Sequence, residues 1–396
     1  MESSDGPELP SQVTCFEILP RLPSKSLMRF RCVCKSWSSL TRNPSFVSAH
    51  QNLGCNKHTH LLLTASDKTT KQQHFFSLQI NQQESLTPAA HLLTLQTPPT
   101  ENERLYTAQC MNGLACLYLS NTSAPKQTDP NHPVRIFNPC TRESLSLPHT
   151  SPASCTAHVT HHFGYSPLTN EYKVLQVQKL IPALGDVHFM FKVFKMGASL
   201  WRHIEVDLND ISFDPLNFPF HRRSVCVNGA IHWMHGTPNP IVVFDNEDEK
   251  FRVIPLPEDY TCFTHLVSYP VGNIVGVGGY LGLIGDRSMM KNEAMGLWIL
   301  KDYENLNWVK EIIVFPRWAV SGYAVPFCSI HTDERLLQSS GLSRQNPACM
   351  KVILYNMKNE SLRRSDIVFP DKWAYLTRTR FKLLTSYEES IEPLIR

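Results

Sequence analysis

The side chains best suited to chemistry gather at a few points in this chain of 396 residues. The stretch "RFRCVCKSWSSL", Arg29 to Leu40, carries a C-x-C pair among basic residues. On a helix, Cys32 and Cys34 would point to different sides and could not hold one ion together. The chain has 12 cysteines and no C-x-x-C, so zinc-knuckle spacing is missing and buried free thiols are expected. His158, His161 and His162 form one histidine cluster, and His232 and His235 another. Strand neighbours alternate faces, so His161 and His162 diverge, and His232 and His235, three apart, lie on opposite faces. The acidic "DNEDEK", Asp245 to Lys250, lacks the alternation and glycine of a calcium loop and reads as a solvated hairpin turn. "GVGGYLG", with Gly276, Gly278 and Gly282, misses dinucleotide-loop spacing and is followed by no helix pattern. G-x-S-x-G, H-E-x-x-H and G-x-x-x-x-G-K are all absent. No catalytic residue, cofactor or metal is therefore expected.

The elements that position these residues change character near residue 50. A chain this long calls for two domains, or for one small module and a large repeat-built domain. Hydrophobic residues make up 42% and aromatic residues 10%, as in a folded globular chain, while 28 prolines favour strands and turns over long helices. A formal charge of only +3 gives no general case for nucleic acid or an acidic membrane. The start "MESSDGPELP" has no basic region or apolar core of a secretion signal, and no run nears the roughly 20 apolar residues of a membrane span. These features predict an intracellular protein, in cytoplasm or nucleus.

Residues 9–50 carry the helical signals. Ser11 after Pro10, Ser24 after Pro23, and Asn43 before Pro44 read as helix starts, with Pro20 and Pro23 separating the first helix from the second. Val13, Phe16 and Leu19 recur at helical spacing with Ile18 beside them, then Leu27, Phe30 and Cys34, extended by Trp37. Helices this short must pack on one another or on a partner. Across residues 11–50 six basic residues, Arg21, Lys25, Arg29, Arg31, Lys35 and Arg42, face the single acid Glu17. Such a face is solvated, or suits an acidic protein partner or a phosphate backbone, and the few interleaved aromatics make single-stranded nucleic acid the weakest of these.

This segment resembles the F-box, the adaptor-binding module of cullin-based ubiquitin ligases, especially its plant form. The resemblance rests on Leu9-Pro10, Glu17-Ile18-Leu19, Arg21-Leu22-Pro23, Lys25-Ser26-Leu27, Arg29-Phe30, Val33-Cys34-Lys35, Trp37, Leu40, Phe46 and His50, with Gln12 standing where an acid is common. It implies a Skp-family adaptor, and through it a cullin, as partners. It further implies that Leu9, Pro10, Ile18, Leu19, Leu22, Pro23, Leu27, Val33 and Trp37 form the set that interlocks with the adaptor.

Residues 51–57, "QNLGCNK", form a short polar linker, and residues 58–396 read as a repeat. If Leu78, Phe137, Phe194, Phe244, Leu300 and Tyr355 are equivalent, the steps between them are 59, 57, 50, 56 and 55. Each marks a hairpin preceded by at least one further strand. About four strands in a period of roughly 50 residues describe a β-propeller blade, and six periods imply six blades. "RTRFKLLTSY" near the end is a spare strand that would close the ring on the first blade.

The region also resembles the F-box-associated domain of plant F-box proteins, which is similar to kelch-type propellers. The landmarks are Asn112-Gly113-Leu114, Asn138-Pro139, Phe163-Gly164-Tyr165, Asn170 to Val174, Asn228-Gly229, Phe244-Asp245, Trp298, Trp308 and Ser386-Tyr387. The fold expected is thus a small all-α N-terminal F-box followed by an all-β propeller. The function implied is that of a non-catalytic substrate receptor, with neither nucleic acid nor membrane as partner. The long, dissimilar loops Ser120 to Pro133, Leu208 to Arg223 and Ile284 to Met295 are candidates for capturing an unidentified target protein. The alternative is a propeller enzyme or carbohydrate-binding protein using the central pocket.

Overall fold

The structure is a computed structural model that describes residues 17–53, 59–67, 69–79, 86–98, 105–119, 133–150, 156–181, 186–206, 224–235, 241–260, 274–285, 294–314, 327–329, 334–343, 349–356, 358–370 and 379–394. A 3₁₀ turn, Leu19–Arg21, leads into three short helices: α1 (Ser24–Phe30), α2 (Lys35–Leu40) and α3 (Pro44–Leu53). Among the described residues every regular element that follows is a strand, and the strands form six sheets.

Each sheet is one propeller blade. From the centre outward, the second blade is Tyr106–Met111, Leu114–Leu119, Arg135–Phe137 and Ser144–Ser146. The third is Thr156–Ser166, Glu171–Ile181, His188–Lys195 and Arg202–Ile204, and the fourth Ser224–Val227, Ala230–Met234, Ile241–Asp245 and Phe251–Ile254. The fifth is Ile274–Val277, Tyr280–Ile284, Ala294–Asp302 and Asn307–Val314. The sixth is Phe327–Ser329, Glu334–Ser343, Cys349–Asn356 and Ser361–Val368. The innermost strands of neighbouring blades touch all the way round the ring. The six residues that mark the period, Leu78 to Tyr355, all lie on third strands.

Middle strands read as unbroken apolar runs because both of their faces are covered. In the third blade Leu175 and Val177 pack toward Ile231, Trp233 and Phe244 of the fourth, while Tyr172 and Val174 pack toward Leu114, Cys116 and Ile136 of the second. At the end of the third strand, Asn138, Asp245, Asp302 and Asn356 each accept backbone N–H groups from the turn that follows. This Asx geometry starts a tight turn wherever it is placed. "DNEDEK" is accordingly the hairpin turn expected of it.

The first blade is assembled from both ends of the propeller. Its innermost strand, Thr379–Glu388, pairs antiparallel with Thr59–Asp67, followed outward by Gln72–Gln79 and Ala90–Gln96. The spare strand therefore closes the ring as its sequence suggests, removing an exposed edge. One element departs from the expected hairpin. The strand after Gln79, Leu86–Pro88, leaves the first blade and adds in parallel to the outer edge of the sixth, against Asp366, Ile367 and Val368. Pro88 has no N–H for a ladder and suits such an edge, and Ala89 N–H donates to Val368 O at 2.9 Å.

Candidate functional site

The helix start expected at Ser11 lies outside the described residues, and the helical module departs from its sequence reading at α1 and α2. Pro23, not Ser24, holds the N-cap position of α1, and the first turn contains no acidic residue of its own. The Ser24 N–H instead donates to Oε2 of Glu389 at 3.1 Å, a carboxylate from the far end of the propeller. The segment from Leu27 to Trp37 is also not one helix. It breaks after Phe30, and α2 restarts at Lys35 with Cys34 extended before it, its Sγ accepting from Trp37 N at 3.5 Å. Cys32 and Cys34 thus sit in the turn between two helices, and both thiols are exposed rather than buried. The apolar row survives the break because the Phe30 and Trp37 rings meet edge to face at 5.0 Å.

The third helix start is as the sequence predicts. Asn43 Oδ1 accepts from the backbone N–H groups of Ser45 and Phe46 at 2.9 and 3.4 Å, ahead of Pro44 in the first turn. On the inner face of α3, Phe46, Val47 and His50 are buried. Burial lowers the His50 pKa and keeps the ring neutral. Its Nε2–H donates to Leu22 O at 3.2 Å, tying α3 to the chain ahead of α1.

The module sits on the propeller through the residues that follow the closing strand. Ile391 joins Leu19, Leu27, Phe46 and Val47 in one apolar cluster. Glu389 bridges Ser24 N to His60 Nε2 at 3.3 Å, on the Thr59–Asp67 strand of the first blade. Asn138 donates to the carbonyls of Ser390 and Glu392, both at 3.0 Å. Glu143 of the second blade receives Arg31 at 3.2 Å and Arg42 at 3.8 Å on Oε1, and Leu394 N–H at 3.4 Å on Oε2. Gly113 is required at its turn: it has φ +80°, and a Cβ there would stand 2.3 Å from the Ser390 Cβ and 2.7 Å from Glu388 O. A cleft of about 270 Å³ remains between Arg42, Pro44 and Gln51 of the module, Tyr165 and Asn170 of the third blade, and Glu392.

This seat sorts the residues expected to grip a partner. Leu19 and Leu27 are buried in the module's own core, Leu22 and Trp37 are half-buried, and Pro23 is exposed. Ile18 and Val33 keep 40% and 68% of their surface exposed, so both remain free to meet another molecule. Leu9 and Pro10, with Val13 and Phe16, lie outside the described residues. Of the basic residues, Arg21, Lys25, Arg29 and Lys35 are exposed, whereas Arg31 and Arg42 turn to Glu143. The interiors of the three candidate recognition loops also lie outside the described residues.

His161, His162 and His232 are held within the seams between blades. His161 and His162 point to opposite faces of the innermost third-blade strand. His161 Nε2 lies 2.9 Å from the Gln176 amide, while His162 stacks on Trp233 and lies 2.8 Å from Ser224 Oγ. Burial pulls both pKa values down to about 3, leaving neutral rings. His232, lowered by burial to about 4, meets Tyr303 Oη at 2.7 Å. Gln109 joins these seams, donating to Tyr118 Oη and Ser224 Oγ and accepting from Phe163 N. Among the described residues no three His, Cys, Asp or Glu side chains are grouped to hold a metal ion, and no helix is long and apolar enough to cross a membrane.

The match that decides the family runs the length of the propeller: residues 60–386 match the F-box associated beta propeller domain, and residues 15–48 match the F-box domain. The chain belongs to this F-box family. Its F-box match covers α1, α2 and the first half of α3, while Glu389–Leu394, which anchor the F-box to the propeller, fall just beyond the propeller match. Among similar proteins, F-box protein At1g30790 of Arabidopsis thaliana is 26% identical over 390 residues, covering 92% of this chain and 90% of its own. F-box protein DOR of Arabidopsis thaliana is 27% identical over 374 residues, covering 89% of this chain and 86% of its own. Sequence reasoning missed Glu143, Glu389 and Ile391 as determinants of how the F-box is held. Each contacts the F-box across roughly a hundred residues or more, and nothing in its local sequence marks it.

Proposed function

We propose that this protein is the substrate-recognition subunit of a cullin-type ubiquitin ligase, intracellular and without bond chemistry of its own. The F-box docks on a Skp-family adaptor, and the propeller presents a target protein for ubiquitin transfer, the gain being one of proximity. The observation that carries this reading is the surface left on the F-box after it has seated on the propeller. Leu19, Leu27, Phe46 and Val47 are consumed by its core, yet Ile18 and Val33 stay exposed, Pro23 lies open at the start of α1, and Trp37 is half-buried against Phe30. These residues, with Leu22 and the preceding Leu9 and Pro10, are the adaptor-facing set; Leu19 and Leu27 act from beneath. The exposed Arg21, Lys25, Arg29 and Lys35 add attraction for an acidic adaptor surface.

The test is titration of purified Skp-family adaptor against the full chain. A double substitution, Ile18→Asp with Val33→Asp, places two charges where apolar contact is required and leaves the module's core alone. It should weaken adaptor binding by about 100-fold or more, since each desolvated contact contributes on the order of 1–3 kcal/mol. Neutralising Arg29 and Lys35 should weaken binding only at low ionic strength. Unchanged affinity in the double variant would refute the assignment.

A further inference from the structure

Of the six residues after the closing strand, all but Glu389 are buried like a core: Ser390 is 1% exposed, Ile391 2%, Glu392 3% and Leu394 3%. Their contacts divide between the two domains. Ile391 completes the apolar cluster of the F-box and Glu389 receives the first N–H of α1, whereas Leu394 packs with Leu114, Phe163 and Phe194 in the seam between the second and third blades. We infer that Glu389–Leu394 is a structural part of the F-box, so that the adaptor-docking module is complete only once the propeller ring has closed.

Chain geometry enforces this dependence. Glu388 is the last residue of the closing strand, and its cross-strand partner is Thr59, the first residue of the strand that leaves the F-box. Both covalent routes into the module therefore start from one rung of one ladder. Ile391 lies three positions after Glu388, a reach of at most about 10 Å. Ile391 can occupy the space beside Leu27 and Phe46 only while the closing strand is in register with Thr59–Asp67. Spanning residues 9–50, the F-box lies at the roughly 40-residue size limit for independent folding and gains from additional support. An open ring would thus present an F-box lacking a core residue, the partner of the first α1 N–H and the Glu143 clamp. The consequence for function, that adaptor capture favours chains whose propeller is closed, rests on the reading proposed above.

The experiment compares native-state amide hydrogen exchange in the full chain, in a chain ending after Glu388, and in Ile391→Ala. No adaptor is present, so the outcome is independent of whether the F-box binds one. Amides of α1 and α3 are followed against those of Ala230–Met234, the second strand of the fourth blade. In the shortened chain the module amides should exchange close to unfolded rates while the fourth blade stays within about threefold of the full chain. Ile391→Ala should accelerate module exchange by about 30-fold or more, the tenfold-per-1.4 kcal/mol equivalent of the smallest usual cost of emptying such a site. Should the shortened chain lose protection everywhere, Ile391→Ala decides alone, because it leaves every backbone contact in place. Module amides that keep full-chain protection in Ile391→Ala would overturn the inference.

Discussion

Replacing Glu389 by glutamine removes one charge from the junction and nothing else of comparable size. Burial alone would raise the Glu389 pKa. The hydrogen bonds from His60 Nε2 at 3.3 Å and Ser24 N at 3.1 Å outweigh it and bring the value from the ordinary 4.5 down to about 2. The side chain is 23% exposed, so solvent screening is limited. A depression of that size corresponds to roughly 3 kcal/mol in favour of the folded state at neutral pH. Glutamine keeps an acceptor oxygen for Ser24 N, so the expected loss is about 2 kcal/mol. The folded value lies below the unfolded one. The contribution is therefore fully present above pH 4.5 and is lost as pH falls toward 2. Glutamine does not titrate, so the stability difference between the two chains should shrink steadily as pH falls below 4.5. Urea unfolding followed by tryptophan fluorescence at several pH values measures it, and the other carboxylates cancel in the difference. A difference independent of pH, or absent at pH 7, would refute the account of Glu389 as an ionised tie between F-box and propeller.

The remaining predictions concern the ring. Gly164→Ala would bring a Cβ to 2.4 Å from the Asn246 amide, which is fully buried and committed to Gly229 O at 2.7 Å. The loss should be about 1–3 kcal/mol in denaturant midpoint, and an unchanged midpoint would show that the third and fourth blades have slack there. Ending the chain before Thr379 removes the partner of Thr59–Asp67 and bares that strand as an edge. Light scattering and gel filtration should then report aggregation, whereas a monomer with unaltered melting would count against closure by this strand.

Most of the propeller was legible because its determinants are local. Alternation, turn chemistry and a repeated third-strand apolar run are written within each period, so Leu78, Phe137, Phe194, Phe244, Leu300 and Tyr355 fall on equivalent strands. Asn43 before Pro44 was legible for the same reason, since a cap needs only the three residues that follow it. The helix break between Phe30 and Lys35 was hidden because the apolar spacing continues through it and the Cys34 sulfur is an uncommon cap. The excursion of Leu86–Pro88 to the sixth blade was hidden because a short strand carries no label for its partner. Of the expected adaptor-facing residues, sequence spacing could group Leu19 and Leu27 with Ile18 and Val33 as apolar. It could not tell the pair that would be buried from the pair left outside, because that depends on Ile391, 364 positions after Leu27.

The junction follows from how a propeller must end. The first blade consists of two pieces remote in sequence, held by the ladder between Thr379–Glu388 and Thr59–Asp67, so this ladder is where the ring can open without breaking a chain. Two features reinforce it. Leu86–Pro88 crosses from the first blade's segment to the sixth, and Ile391 crosses from the closing strand to the F-box. Coupling of this kind is reciprocal: whatever free energy ring closure lends the F-box, the docked F-box lends to ring closure. A partner that binds only the docked F-box would then add its own binding free energy to the closed ring in proportion to the logarithm of its concentration over its Kd. The basic, half-apolar surface of Ile18, Val33, Trp37, Arg29 and Lys35 would in that case do more than recruit. Once occupied, it would hold the propeller shut at the one ladder where it is least secured by covalent structure.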